Sequence, residues 1–191
     1  MKHTSVALLT AALLALLTAA CSNSEFEFSS HRCYLIFDNA EHNDPTLASA
    51  LVAASPGTFC RISMRGEKKF GFNSNRGLES ERMMNAKDAL RTCILGVYNE
   101  SGIIVGYGTL GGELCAYDAQ CPNCYEESNM PRYMLSMTDA GLAKCKTCKR
   151  TYDMNNGGIV IENGRGNDRK MIRYRASYAD TGISKLLKVN N

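Results

Sequence analysis

Histidine is scarce in this chain. There are three, His3, His31 and His42, and none follows His42. A site built downstream of that point therefore has no imidazole of its own for general-base work or for metal ligation. The sequence offers no Ser/His/Asp or Cys/His set, no Gly-rich phosphate loop and no carboxylate pair of acid–base type. Repeats and low-complexity tracts are missing as well. An excess of either charge is lacking: with 22 Lys and Arg against 19 Asp and Glu, the formal net charge of +3 at pH 7 is too small to mark a nucleic-acid binder. The long apolar stretch, Val6 to Leu17, falls short of a membrane span.

That stretch has another use. Lys2 and His3 precede it, and Thr18, Ala19, Ala20 and Cys21 follow it. A basic start, a short apolar core and small residues at the cut site make an export signal over residues 1–20. The Cys after the small residues makes it a lipoprotein signal, with Cys21 as the lipidated residue and the first of the mature chain. The expected location is the bacterial cell envelope, outside the cytoplasm and anchored to a membrane through lipid. Residues 21–30 are polar and read as a tether.

Two segments follow, 31–88 and 89–191. Cys33 to Asp38 reads as a strand. Asp44 and Pro45 start a helix whose shared face is Leu47, Leu51 and Val52. Thr58 to Arg65 and Lys68 to Asn73 alternate apolar and polar positions as a hairpin. The first segment is thus a β-α-β-β extension, and Asn73 to Ala86 is read as a loop. Beyond it, Thr92 to Tyr98 and Ile103 to Tyr107 flank a turn ending in Gly102, predicting a second hairpin. Glu113 to Asp118 is a strand. Gly157 to Glu162 and Met171 to Tyr178 flank Asn163 to Asn167 as a further loop and return. Short strands at this spacing predict a mainly β protein, an antiparallel sandwich or small barrel.

Cysteine is what the chain has in quantity, nine in all. Four form two C-x-x-C pairs, Cys121/Cys124 and Cys145/Cys148, with residues 125–144 between them. A C-x-x-C turn points both sulfurs to one side, and two such turns make one tetrahedral four-thiolate site. Export to an oxidising compartment leaves disulfides as the competing use. A bridge inside C-x-x-C closes so small a loop, however, that it restricts the unfolded chain little. Cys33, Cys60, Cys93 and Cys115 fall on predicted strands, where a free cysteine packs as a small apolar residue. Lys144, Lys146, Lys149 and Arg150 crowd the second pair. They either offset the negative charge of a metal–thiolate centre or are solvated surface charges.

The run Ala116, Tyr117, Asp118, Cys121, Pro122 and the later Cys145, Cys148, Tyr152, Asp153, Gly157 resemble the two ligand turns of Rieske iron–sulfur domains. The resemblance covers roughly residues 90 to 178. It implies a Rieske-like antiparallel β fold with a metal site, Tyr152 as a core aromatic and Asp153 bridging its turn. The departures are specific: Asn123 and Cys124 stand in the first turn and Cys148 in the second where the family has histidines, and Lys149 replaces the Gly after the second ligand. The implied cofactor is one metal centre at four Cys, with zinc, a single iron or a 2Fe–2S cluster all open. Thiolates in place of imidazoles would move an iron–sulfur potential down, toward roughly −400 mV.

The leading functional expectation is a lipid-anchored, Rieske-like metal-binding protein, structural or electron-transferring, with no catalysis at a closed centre. The alternatives are thiol–disulfide exchange at Cys121 and Cys124, and a surface interaction lipoprotein without a redox role. A redox or assembly partner is not identified by the sequence, and nucleic acid is not expected.

Overall fold

The computed structural model describes residues 27–191; the predicted export signal and Cys21 lie outside the described residues. The elements, in chain order, are β1 (Tyr34–Asp38), α1 (Asn39–His42), α2 (Pro45–Ala50), β2 (Phe59–Met64), β3 (Lys69–Ser74), β4 (Glu79–Met83) and α3 (Ala86–Ala89). Then come β5 (Ile103–Tyr107), β6 (Leu114–Asp118), α4 (Pro122–Ser128), β7 (Leu135–Met137), β8 (Leu142–Cys145), β9 (Thr151–Asp153), β10 (Ile159–Glu162), β11 (Arg173–Asp180) and β12 (Lys185–Asn190). The fold is mainly β, and its pairings are antiparallel.

An eight-stranded curled sheet runs in the order β1-β12-β11-β6-β5-β2-β3-β4, and a four-stranded sheet runs β10-β9-β8-β7. Strands from 31–88 and from 89–191 hydrogen-bond to one another within the large sheet, at β1 with β12 and at β2 with β5. Alternation along the central strands feeds two cores. Cys60, Ile62, Ile103, Val105 and Ala116 point to one face, where Phe37, Leu47, Phe72, Tyr174 and Leu187 complete a cluster. Phe59, Ile104, Cys115 and Tyr117 point to the other, and the small sheet covers them with Leu135, Ala143 and Tyr152. β5 reads as an unbroken apolar run because both of its faces are buried.

The start of α2 follows its sequence signals: Asp44 Oδ1 accepts from Leu47 N at 2.9 Å, with Pro45 in the first turn. Leu47 and Leu51 are buried, but Val52 is 46% exposed because the helix has already ended at Ala50.

Three expectations fail on pairing. Asn73 to Ala86 is not a loop throughout, since it contains β4, which pairs with β3 from Lys69↔Met83 to Asn73↔Glu79. Its sequence, ESERM, carries charges because it is an edge strand with no deeply buried face. Thr92 to Tyr98 is not a strand; only Ile94 bridges, to Tyr34. The extended run breaks at Gly96, whose φ of +74° is left-handed and where an added Cβ would lie 2.2 Å from Asp118 Oδ2. The proposed return from Gly157 to Tyr178 does form β10 and β11, but these belong to different sheets, and β11 turns back on β12 instead.

Candidate metal centre

The first cysteine turn is aimed by β6. At its end Asp118 is fully buried: Oδ2 accepts from Val97 N at 2.7 Å and from the Tyr174 hydroxyl at 2.8 Å, while Oδ1 accepts from Gln120 N at 2.8 Å. The carboxylate thereby ties the 96–97 loop, β11 and the start of the metal turn together. Three residues on, Cys121 stands at the N-cap of α4 with extended φ/ψ, and Pro122 supplies the preset φ of the first helical position. The Cys121 side chain makes no cap hydrogen bond. Its sulfur faces the other cysteines instead.

The second turn is the tip of the β8–β9 hairpin. Cys145 N donates to Arg150 O at 3.0 Å and Lys149 N to Cys145 O at 3.1 Å. Lys149 adopts φ +64°. It therefore keeps the left-handed backbone that a glycine would take there, at a cost of about 1 kcal/mol.

These two turns bring the four cysteines together. Their sulfurs all lie within 4.8 Å of one another, with Cys121 to Cys148 at 3.6 Å and Cys124 to Cys145 at 3.8 Å. A tetrahedron with metal–sulfur bonds of about 2.3 Å has edges of about 3.8 Å. The closest contacts thus run across the two turns, as the edges of one tetrahedron do. All eight described cysteines are free thiols. Cys33 and Cys60 pack in the first core and Cys115 in the second, while Cys93 is half-buried against the first, in keeping with their reading as apolar residues.

A layer of polar groups outside the sulfurs was not legible as a set. Asn123, the residue inside the first pair, is clamped by Arg169: its Oδ1 accepts from Arg169 N at 2.9 Å and its Nδ2 donates to Arg169 O at 3.0 Å. Nδ2 also donates to the Tyr152 hydroxyl at 2.9 Å, which leaves the hydroxyl proton free for Cys121 Sγ, 3.1 Å away. Tyr152 is a buried core aromatic, as expected, with a polar task at its tip. Asp153 Oδ1 accepts from Asn155 N at 3.0 Å and so braces the turn after β9.

Arg150 differs from its basic neighbours. Lys144, Lys146 and Lys149 are exposed, but the Arg150 side chain is 5% exposed, and its Nε donates to Asp168 Oδ1 at 2.6 Å. Its Nη1 is buried without a hydrogen-bond partner. Cys148 lies beside the guanidinium and, ahead of Asp168, raises the Arg150 pKa. A charge run read as surface in the sequence therefore hides one buried cation beside a ligand sulfur.

The thiols are not alike. Burial pushes Cys121 up to about 12, although the Tyr152 hydroxyl and the Cys124 backbone N–H pull it down. Burial raises Cys124 too, and the neighbouring thiols add to it. Cys148 goes the other way, to about 7: burial opposes ionisation, but the backbone N–H and guanidinium of Arg150 outweigh it. Four thiolates crowded into this space repel one another without a cation between them, and because metal ligands bind as thiolates, metal uptake must expel protons. The donor set, its spacing and its burial fit one tetrahedral, thiolate-loving metal ion. Comparison with protein-family models, with curated proteins and with solved structures finds no match for this chain.

Proposed function

We propose that this is a lipid-anchored metalloprotein of the bacterial cell envelope, whose four-thiolate centre holds a single structural ion, zinc by preference, between two Rieske-like turns. The observation that carries the reading is the convergence of all four sulfurs within 4.8 Å. A two-iron cluster divides its thiolates between two metals and spreads those on different irons beyond a single tetrahedral edge, so the spacing favours one ion. Four protein ligands leave no open position for substrate, which argues for structure over catalysis. Thiol exchange is disfavoured by Cys121 itself, since the attacking sulfur of such a pair must be accessible and acidic, whereas Cys121 is fully buried and burial raises its pKa.

A single iron fits the same tetrahedron and is the second reading. Its support is Cys148, the one ligand that reaches partial exposure and so the one through which an electron would leave. The anchor rests on the signal and on Cys21, as read from the sequence.

Native mass spectrometry of protein taken from the membrane fraction tests both halves at once. The expected species begins at Cys21, carries the added mass of lipid and holds one zinc per chain, and its solution is colourless. A coloured protein with one iron would replace zinc with the second reading. A metal-free protein would end the metal proposal, and an unmodified Cys21 would end the anchor.

A further inference from the structure

The geometry points to the metal-bearing end of the molecule as a membrane-facing surface that rests on anionic lipid headgroups. This builds on the anchor at Cys21 proposed above. Two independent observations converge on it.

The first is the path from the anchor. Only residues 22–26 separate Cys21 from Glu27, a stretch that spans at most roughly 20 Å when extended. The first described residues are fastened to the body at once. Glu27 accepts from Arg173 at 2.9 Å, Phe28 lies beneath the guanidinium groups of Arg173 and Arg175 at 5.4 and 4.7 Å, and Ser29 N donates to Arg173 O at 2.8 Å. His31 then meets Tyr125 of α4 edge-on at 5.7 Å. Arg173 is paired with Tyr117, at the end of β6 that leads into the first metal turn, whereas the Asp180–Lys185 tip lies at the opposite end of β11. The chain therefore enters along the Arg173–Arg175 flank of β11, where the Arg173 guanidinium also binds Glu113 at 3.2 Å, and four residues after Glu27 it reaches α4 of the metal centre, which keeps that end of the body within the tether's reach of a bilayer.

The second observation is where the cations lie. Lys146 and Lys149 on the second turn, Arg165 on the loop after β10 and Arg132 ahead of β7 are all exposed. The acids at this end are largely paired: Asp168 with the buried Arg150, Glu126 with Arg169 and Glu162 with Lys144 in exposed ion pairs, Glu162 also accepting from Thr151. Glu127 remains as an exposed acid. The side chains of Lys146, Lys149 and Arg165 form no ion pair among the described residues, although the Arg165 backbone N–H donates to Asp168 Oδ2 at 2.6 Å. A face with outward cations, held close to a bilayer by a short tether, sits in the negative surface potential of anionic lipid, where each cation strengthens contact by roughly fivefold. The headgroup layer is thus the partner that both the tether length and the charge select.

The test uses the full lipidated protein in vesicles of phosphatidylcholine alone or mixed with phosphatidylglycerol, with lysines labelled by a membrane-impermeant amine reagent. Labelling of Lys146 and Lys149 should fall several-fold on the anionic vesicles and recover at high salt, whereas Lys185 should react equally on both. In the triple variant Lys146→Gln, Lys149→Gln, Arg165→Gln, metal content should be unchanged and Lys144 should lose any dependence on lipid charge. Equal labelling of Lys146 and Lys149 on both lipids, or protection of Lys185 in their place, overturns the orientation while leaving the anchor intact. Failure of the protein to float with either vesicle at high salt overturns the anchor, and the inference with it.

Discussion

Chelating the metal is expected to melt the small sheet and leave the large one folded. β7 and β9 have three residues each, and β8 and β10 have four. Strands this short do not make an independently stable sheet. The core beneath them counts Cys121, Cys124 and Cys145 among its buried members, so the ligands themselves are the packing. Structural zinc–thiolate sites supply on the order of 10 kcal/mol, comparable to the whole stability of an ordinary domain. The opposite core, built on Leu35, Phe37, Ile62, Phe72 and Val189, contains no ligand. Amide exchange should therefore become fast at Leu135–Met137 and Thr151–Asp153 on chelation, and stay slow in β3 and β12. Cys121→Ser should reproduce that pattern without a chelator. An apoprotein with unchanged protection in β7 and β9 would show that the cysteines pack adequately as thiols, and the structural role would fall.

The cysteine spacing made this centre legible because C-x-x-C is a local device whose geometry hardly depends on the rest of the fold. The same holds for the Asp44–Pro45 helix start and for the β2–β3 hairpin, where the turn and the alternation are contiguous. What the sequence hid was decided at a distance. β4 is polar because its inner side chains, Ser80 and Arg82, bond to Asp44, Thr46 and the His42 carbonyl rather than to an apolar core, so a reading based on apolar alternation passes over it. The break at Gly96 exists to let Asp118 reach Val97, a partner more than twenty residues away in sequence. Arg150 sits in a run of exposed lysines and differs from them only because Asp168 and Cys148 enclose it. No periodicity reports such a clamp. Asn123 could have been suspected, being the one residue inside the first pair able both to donate and to accept, but its partner Arg169 comes from another loop.

Asp118→Ala should be the most damaging change outside the cysteines. It strands the Val97 N–H, the Gln120 N–H and the Tyr174 hydroxyl in a buried site. At about 1–3 kcal/mol for each unsatisfied donor, the loss is on the order of 5 kcal/mol, and it releases the strand end that aims Cys121. Metal affinity should fall along with melting temperature. Asp118→Asn keeps the shape and one carbonyl oxygen, so it should cost less and keep the metal. The comparison with wild type carries a pH signature. Burial raises the Asp118 carboxyl above its ordinary value, against the pull of its three donors. A carboxyl raised on folding contributes stability that is fully present below its unfolded pKa and is lost as pH rises through the folded one. Denaturant unfolding of the two proteins across that window should show the advantage of wild type over Asp118→Asn shrinking as pH increases. An advantage that grows with pH would mean that the folded protein prefers the ionised carboxylate, and that the three hydrogen bonds outweigh burial at this position.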